Sequence, residues 1–168
     1  GDALATEAPA PAFDVTRLAF IGANPSARIV TTDALPGRVN YFIGSDPSNW
    51  RTNLPTYGAL IYQDLYPGID LHYQGSGSQI KGTYLVAAGA DPTQIRWRYE
   101  GAATPRIDTA SGDLVVTAGL DGATAFGSPG RQMIERAPVA WQELNGLRVA
   151  VATRFTVSAD GTVSFHAL

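Results

Sequence analysis

A chain of 168 residues is close to the usual length of one domain, and folding at that length removes roughly 70% of the unfolded surface from water. Hydrophobic residues make up 45% of it and charged residues 16%, which excludes a disordered chain, while a net charge of −3 excludes the basic field that draws in phosphate backbones or anionic lipid. There is no cysteine, so disulfide frameworks, thiolate zinc sites and thiol catalysis are excluded together.

Residues 1–12 read GDALATEAPAPA, an Ala/Pro stretch without hydrophobic period, expected as a linker or tail. Because the chain opens on Gly1 and its sole methionine is Met133, a processed product or fragment is expected. From Phe13 onward apolar and polar residues alternate with period two, the pattern of strands with one dry face and one wet face. A single β domain over 13–168 is the expectation.

In chain order the weaker strands are 13–21, 27–31, 38–43 and 56–62. At 46–50 one helical turn is expected, with Ser45 or Asp46 as cap and Pro47 in the first helical position. Next, Ile69, Leu71 and Tyr73 alternate with Asp70, His72 and Gln74, and Ile80, Gly82, Tyr84 and Val86 line one face of the run that follows. The short Gly75-Ser76-Gly77-Ser78 link makes those two runs a hairpin. The clearest alternation is at 94–100, where Ile95, Trp97 and Tyr99 point one way and Arg96 and Arg98 the other. Strands at 106–108, 114–118 and 132–136 follow, with a long Gly/Ala-rich loop near 119–130. Asn145-Gly146 then predicts a type I′ hairpin between 139–144 and 147–157. The latter has Leu147, Val149, Val151, Phe155 and Val157 on one face, and Ala159-Asp160-Gly161 turns the chain into a last strand. About a dozen short strands with at most one or two helical turns predict an all-β fold, an antiparallel β-sandwich with a barrel-like arrangement as the alternative.

No residue constellation reaches a catalytic signature. His72 and His166 are the only histidines, and although Asp70 shares a strand face with His72, the pair reads as a solvated face. The 75–78 cluster lacks the G-x-S-x-G spacing of a nucleophile elbow and the third glycine of a dinucleotide fingerprint. Asp64, Asp70, Glu100, Asp108, Asp113, Glu135 and Glu143 offer nominal glycosidase pairs, but nothing selects one. The segments 108–113 and 121–122 resemble loose calcium loops without the alternating acids and closing Glu, which leaves a lone Ca²⁺ open and predicts no metal site and no cofactor. The aromatic residues are the most suggestive feature. Trp50, Tyr57, Tyr62 and Tyr66 are the candidates for a sugar-stacking platform; Tyr73, Trp97, Tyr99 and Trp141 belong to the same aromatic set, which in a β domain is usually core, as the alternation directly indicates for Trp97 and Tyr99.

Four strings occur in order: VNYFIGSDPSNWRTNLPTY at 39–57, YPGIDL at 66–71, GADP at 89–92 and APVAWQE at 137–143. Together they resemble the uncharacterised domain found upstream of SBBP-type β-propeller repeats in bacterial secreted and cell-surface proteins, over about 18–165. The resemblance implies export, an extracellular or cell-surface location, and a modular neighbourhood of propeller or Ig-like repeats. It also implies a structural or adhesive role without catalytic residues, so the chain is not expected to be an enzyme. Members usually carry further strand-like sequence beyond both ends of this match, so open sheet edges are expected here, with homo-oligomer formation through them. The expected partners are neighbouring domains, with glycans or other surface proteins as alternatives. Neither nucleic acid nor membrane insertion is expected, because no stretch approaches the ~18 to 20 apolar residues that a spanning helix needs.

Overall fold

The structure is a computed structural model and describes residues 16–101, 104–117 and 132–167. The described residues are all-β: they form thirteen strands and two single 3-10 turns, in antiparallel sheets of which none closes into a barrel. The expected linker at 1–12, the Gly/Ala-rich loop near 119–130 and with it the Asp121-Gly122 segment lie outside the described residues. The chain divides into two compact units, Gly22–Ile95 and the combination of Gly1–Ile21 with Arg96–Leu168.

The first unit is one four-stranded sheet in the order β2-β3-β4-β5, formed by β2 (Arg28–Tyr41), β3 (Arg51–Tyr66), β4 (Ile69–Ser76) and β5 (Gln79–Val86). The strands expected at 27–31 and 38–43 are one strand here. Pro36 and Gly37, which read as a break, are absorbed as a register shift between Leu35 and Arg38. An edge strand tolerates this because Pro withholds a donor only on the side without a neighbour. The same strand is distorted at Asp33, whose φ is 58° and whose carboxylate lies over the space left by Gly58.

The β3–β4 link is Pro67-Gly68, with Gly68 at φ 71° as a type II turn requires. Three β3 residues, Gln63 to Leu65, oppose the single Asp70 of β4 between the Tyr62–Leu71 and Tyr66–Ile69 pairs, and Asp64 sits in this bulge at φ 50°. The bulge breaks the alternation, so that consecutive Leu65 and Tyr66 are both buried, beside Ile69 and Leu71. Between β4 and β5 the expected hairpin forms: Ser76 pairs Gln79 across Gly77-Ser78, and Gly77 alone takes positive φ, the type II′ pattern.

Both 3-10 turns use the same local device. Pro47–Asn49 is capped by Asp46, whose carboxylate accepts the Ser48 N–H at 2.9 Å, as expected for that segment. Pro92–Gln94 repeats it, with Asp91 accepting the Thr93 N–H at 2.9 Å. In each, Pro holds the first helical position, where no N–H is needed.

The second unit contains a sheet in the order β1-β6-β13-β12, made of β1 (Arg17–Phe20), β6 (Arg96–Glu100), β13 (Val163–Ala167) and β12 (Thr153–Val157). Alternation in β6 is as read: Ile95, Trp97 and Tyr99 are buried while Arg96 is exposed. Trp97 packs on Phe165 at 5.1 Å and edge-on to Phe155 at 6.2 Å, and these two phenylalanines stack at 5.6 Å. A three-stranded sheet, β7 (Arg106–Ile107), β8 (Leu114–Thr117) and β9 (Gln132–Glu135), supplies the buried Leu114, Val115 and Val116. The remaining hairpin is β10 (Ala140–Leu144) with β11 (Leu147–Val151), turned by Asn145 at φ 53° and Gly146 at φ 77°, the type I′ geometry expected.

The run 147–157 proves to be two strands, β11 and β12, in different sheets, with the break at Ala152. Its expected dry face is dry only in the second half. Phe155 is buried, but Leu147 is 70% exposed and Val149 41%, because no third strand among the described residues extends the β10–β11 pair. Likewise Ile80, on the apolar face of β5, stands 76% exposed at the far end of its strand.

Candidate functional site

Of the four aromatic candidates, Tyr66 is buried, Tyr62 is half-buried edge-on to Tyr73 at 6.2 Å, and Trp50 and Tyr57 are exposed. Tyr57 pairs with Ala34 and Tyr62 with Ile29 along an unshifted stretch of ladder, so their five-residue spacing puts them on opposite faces of the sheet. Trp50 keeps different company. It lies at the end of the β2–β3 hairpin, donates its indole N–H to the Gly44 carbonyl at 3.2 Å and meets Phe42 edge-on at 5.2 Å. Tyr41, Phe42 and Ile43 are each more than half exposed beside it. The resulting aromatic tip, Tyr41, Phe42 and Trp50, includes two residues that sequence reasoning passed over; the 39–57 string contained the signal, as consecutive large apolar residues entering a loop. In the other unit Trp141 is exposed, with the Arg148 guanidinium 5.1 Å from its ring centre.

A shallow depression of about 320 Å³ is lined by Asp64, Gly68, Asp70, Leu85, Val86 and Ala87. Its two carboxylates are not poised as an acid–base pair, because Asp70 accepts the Asp64 N–H at 2.8 Å and so closes the β3 bulge. Asn24 pins the same bulge, donating from its side chain to the Asp64 carbonyl and from its backbone to that of Leu65. His72, two positions from Asp70 on β4, stands opposite Ile61 and Thr83 in the ladder. Among the described residues no three His, Cys, Asp or Glu side chains gather as metal ligands, and no helix is long and apolar enough to cross a membrane.

The other acids have structural partners. Asp108 accepts the Ala110 and Ser111 N–H groups and so folds its loop upon itself; these bonds hold its carboxyl below the ordinary carboxylate range. Asp113, buried at the start of β8, accepts the Ala137 N–H and the Arg136 guanidinium, each at 2.8 Å, and is likewise lowered, first by the Ala137 bond. This fixes the entry to the 137–143 string. Glu100 faces Arg17 at 3.6 Å and Glu143 faces Arg148 at 3.8 Å, both pairs exposed and so of small energetic weight.

Glu135 is the exception. It accepts the Tyr99 hydroxyl, which in turn accepts the Trp97 indole N–H at 3.1 Å, a chain joining β9 to β6 within the second unit. Burial pushes its carboxyl above the ordinary 4.5, against the opposing pull of the Tyr99 bond. The sign follows directly. A raised folded-state pKa contributes stability that is complete below the unfolded value and lost as pH rises through the folded one; the capping aspartates act oppositely, losing theirs as pH falls through their lowered values. Denaturant titrations over a pH series should therefore show stability declining as Glu135 ionises, and Glu135→Gln should flatten that decline while sparing the acid limb. An equal decline in both proteins would remove Glu135 as its origin.

These features define an all-β protein of antiparallel sheets whose described polar clusters are tied into turns and bulges. The family model of a domain of unknown function, DUF7948, matches residues 3–167, and the chain belongs to that family. No curated protein and no solved structure matches it.

Proposed function

We propose that this chain is a non-catalytic structural or adhesive module of an exported bacterial multidomain protein, joining neighbouring domains or surface partners through sheet faces and open edges. The observation that carries this reading is the exposure of large apolar side chains on two hairpins: Tyr41, Phe42, Ile43 and Tyr57 on β2–β3, and Leu144, Leu147 and Val149 on β10–β11. Exposed large apolar side chains gathered at a hairpin, as at Tyr41–Ile43 and at Leu144 with Leu147, mark interaction sites. The resemblance to domains preceding SBBP-type propeller repeats supports an extracellular setting and propeller or Ig-like neighbours. Produced in tandem with the adjoining domain of its reading frame, the module should melt higher or self-associate less than alone; identical melting and mass would count against the reading.

A second reading, a carbohydrate-binding module, draws on the exposed Trp50 and Tyr57. It predicts glycan-array binding that Trp50→Ala reduces at least tenfold, and an array at background would remove it.

A further inference from the structure

The two edges of the β2-β3-β4-β5 sheet are built differently. At one edge, β2 carries Pro36, the positive-φ Asp33 and register shifts after Leu35 and Val39, devices that stop another strand from adding alongside. At the other, β5 has no further neighbour among the described residues; it pairs with β4 without a break from Ile69–Val86 to Ser76–Gln79 and contains no proline and a single charge, Lys81. Such an edge templates a further strand.

The hairpin geometry says which residues would do the templating. The Ser76–Gln79 pair closes a two-residue turn and so exchanges its backbone hydrogen bonds, and the Ala87 N–H bonds the Gly68 carbonyl at 2.9 Å. Odd-numbered residues of β5 therefore bond inward, and the backbone of the alternate residues, starting with Ile80, is aimed outward.

We infer that β5 is a dimerisation edge, pairing antiparallel with β5 of a second copy about a two-fold axis at Thr83. This deepens, and rests on, the reading of the chain as a joining module. The charge pattern selects a second copy. With Thr83 opposite itself, Lys81 falls against Leu85 rather than another Lys, and Gly82 falls against Tyr84. Ile80, 76% exposed, falls against Val86, 41% exposed, so each covers the other. A second copy therefore meets β5 with no like charges opposed and with its two exposed apolar side chains matched.

Ile80 and Val86 are surface positions six residues apart, about 20 Å along a strand, so charges placed there interact only between copies. The test is sedimentation velocity over a concentration series for the native chain, the Ile80→Lys/Val86→Lys double variant and the Ile80→Lys/Val86→Glu double variant, with far-UV circular dichroism confirming the fold of each. The native chain should form a dimer, the Lys/Lys variant should dimerise at least tenfold more weakly, and the Lys/Glu variant should recover. A native chain that stays monomeric throughout overturns the proposal. So does a Lys/Lys variant as dimeric as the native chain, although that outcome leaves the joining-module reading standing, with the contact on another surface.

Discussion

Trp97→Ala should lower the stability of the protein by about 3–5 kcal/mol, the range for removing a large aromatic from a packed interior. Trp97 is 3% exposed, and its ring is the shared neighbour of Phe155 and Phe165, so truncation empties a space that three strands enclose. It also deprives the Tyr99 hydroxyl of its indole donor and so weakens the chain that ends at Glu135. Urea denaturation followed by circular dichroism measures the loss. Since whole domains are stable by only about 5–15 kcal/mol, Trp97→Phe is the companion variant. It keeps a ring, loses the indole N–H, and should fall between the two. A Trp97→Ala protein as stable as the native one would place this residue outside the core.

The second large effect is expected in the other unit. Leu71 is fully buried in β4, between Tyr62 of β3 and Tyr84 of β5 in the ladder, so Leu71→Ala should cost about 2–5 kcal/mol. Ile80→Ala is the matched control at protein concentrations where the chain is monomeric, because Ile80 occupies the same sheet face but stands in water in the single chain, and there it should change stability by no more than about 0.5 kcal/mol. The contrast is read from denaturant midpoints. Equal losses for the two would mean that the far end of β5 is covered in the folded protein.

The features legible in the sequence were those written in adjacent residues. Ile95, Trp97 and Tyr99 announced a dry face because a strand turns each side chain by half a revolution, and Asn145-Gly146 and Asp46-Pro47 carried their turns in their own backbone preferences. Pairing partners left no such trace. The period through 147–157 stays in phase across Ala152, so alternation alone could not report that the chain leaves one sheet and enters another. Pro36-Gly37 read as a break because the rule against proline holds for central strands, whereas β2 lies at an edge.

The candidate site was less legible. Four aromatics close in sequence suggested one platform, yet the odd spacing of Tyr57 and Tyr62 separates them by the thickness of the sheet, and Tyr66, opposite Ile69, is buried. Glu135 and Tyr99 lie 36 positions apart, a separation at which no spacing rule operates.

The irregular course of β2 bears on stoichiometry. If both borders of its sheet were equally receptive, each added molecule would expose a fresh border and stacking would continue into a fibre. With Asp33 and Pro36 disabling one border, the proposed union through the other would consume this sheet's receptive sites on both molecules at once, and growth through it would halt at a pair.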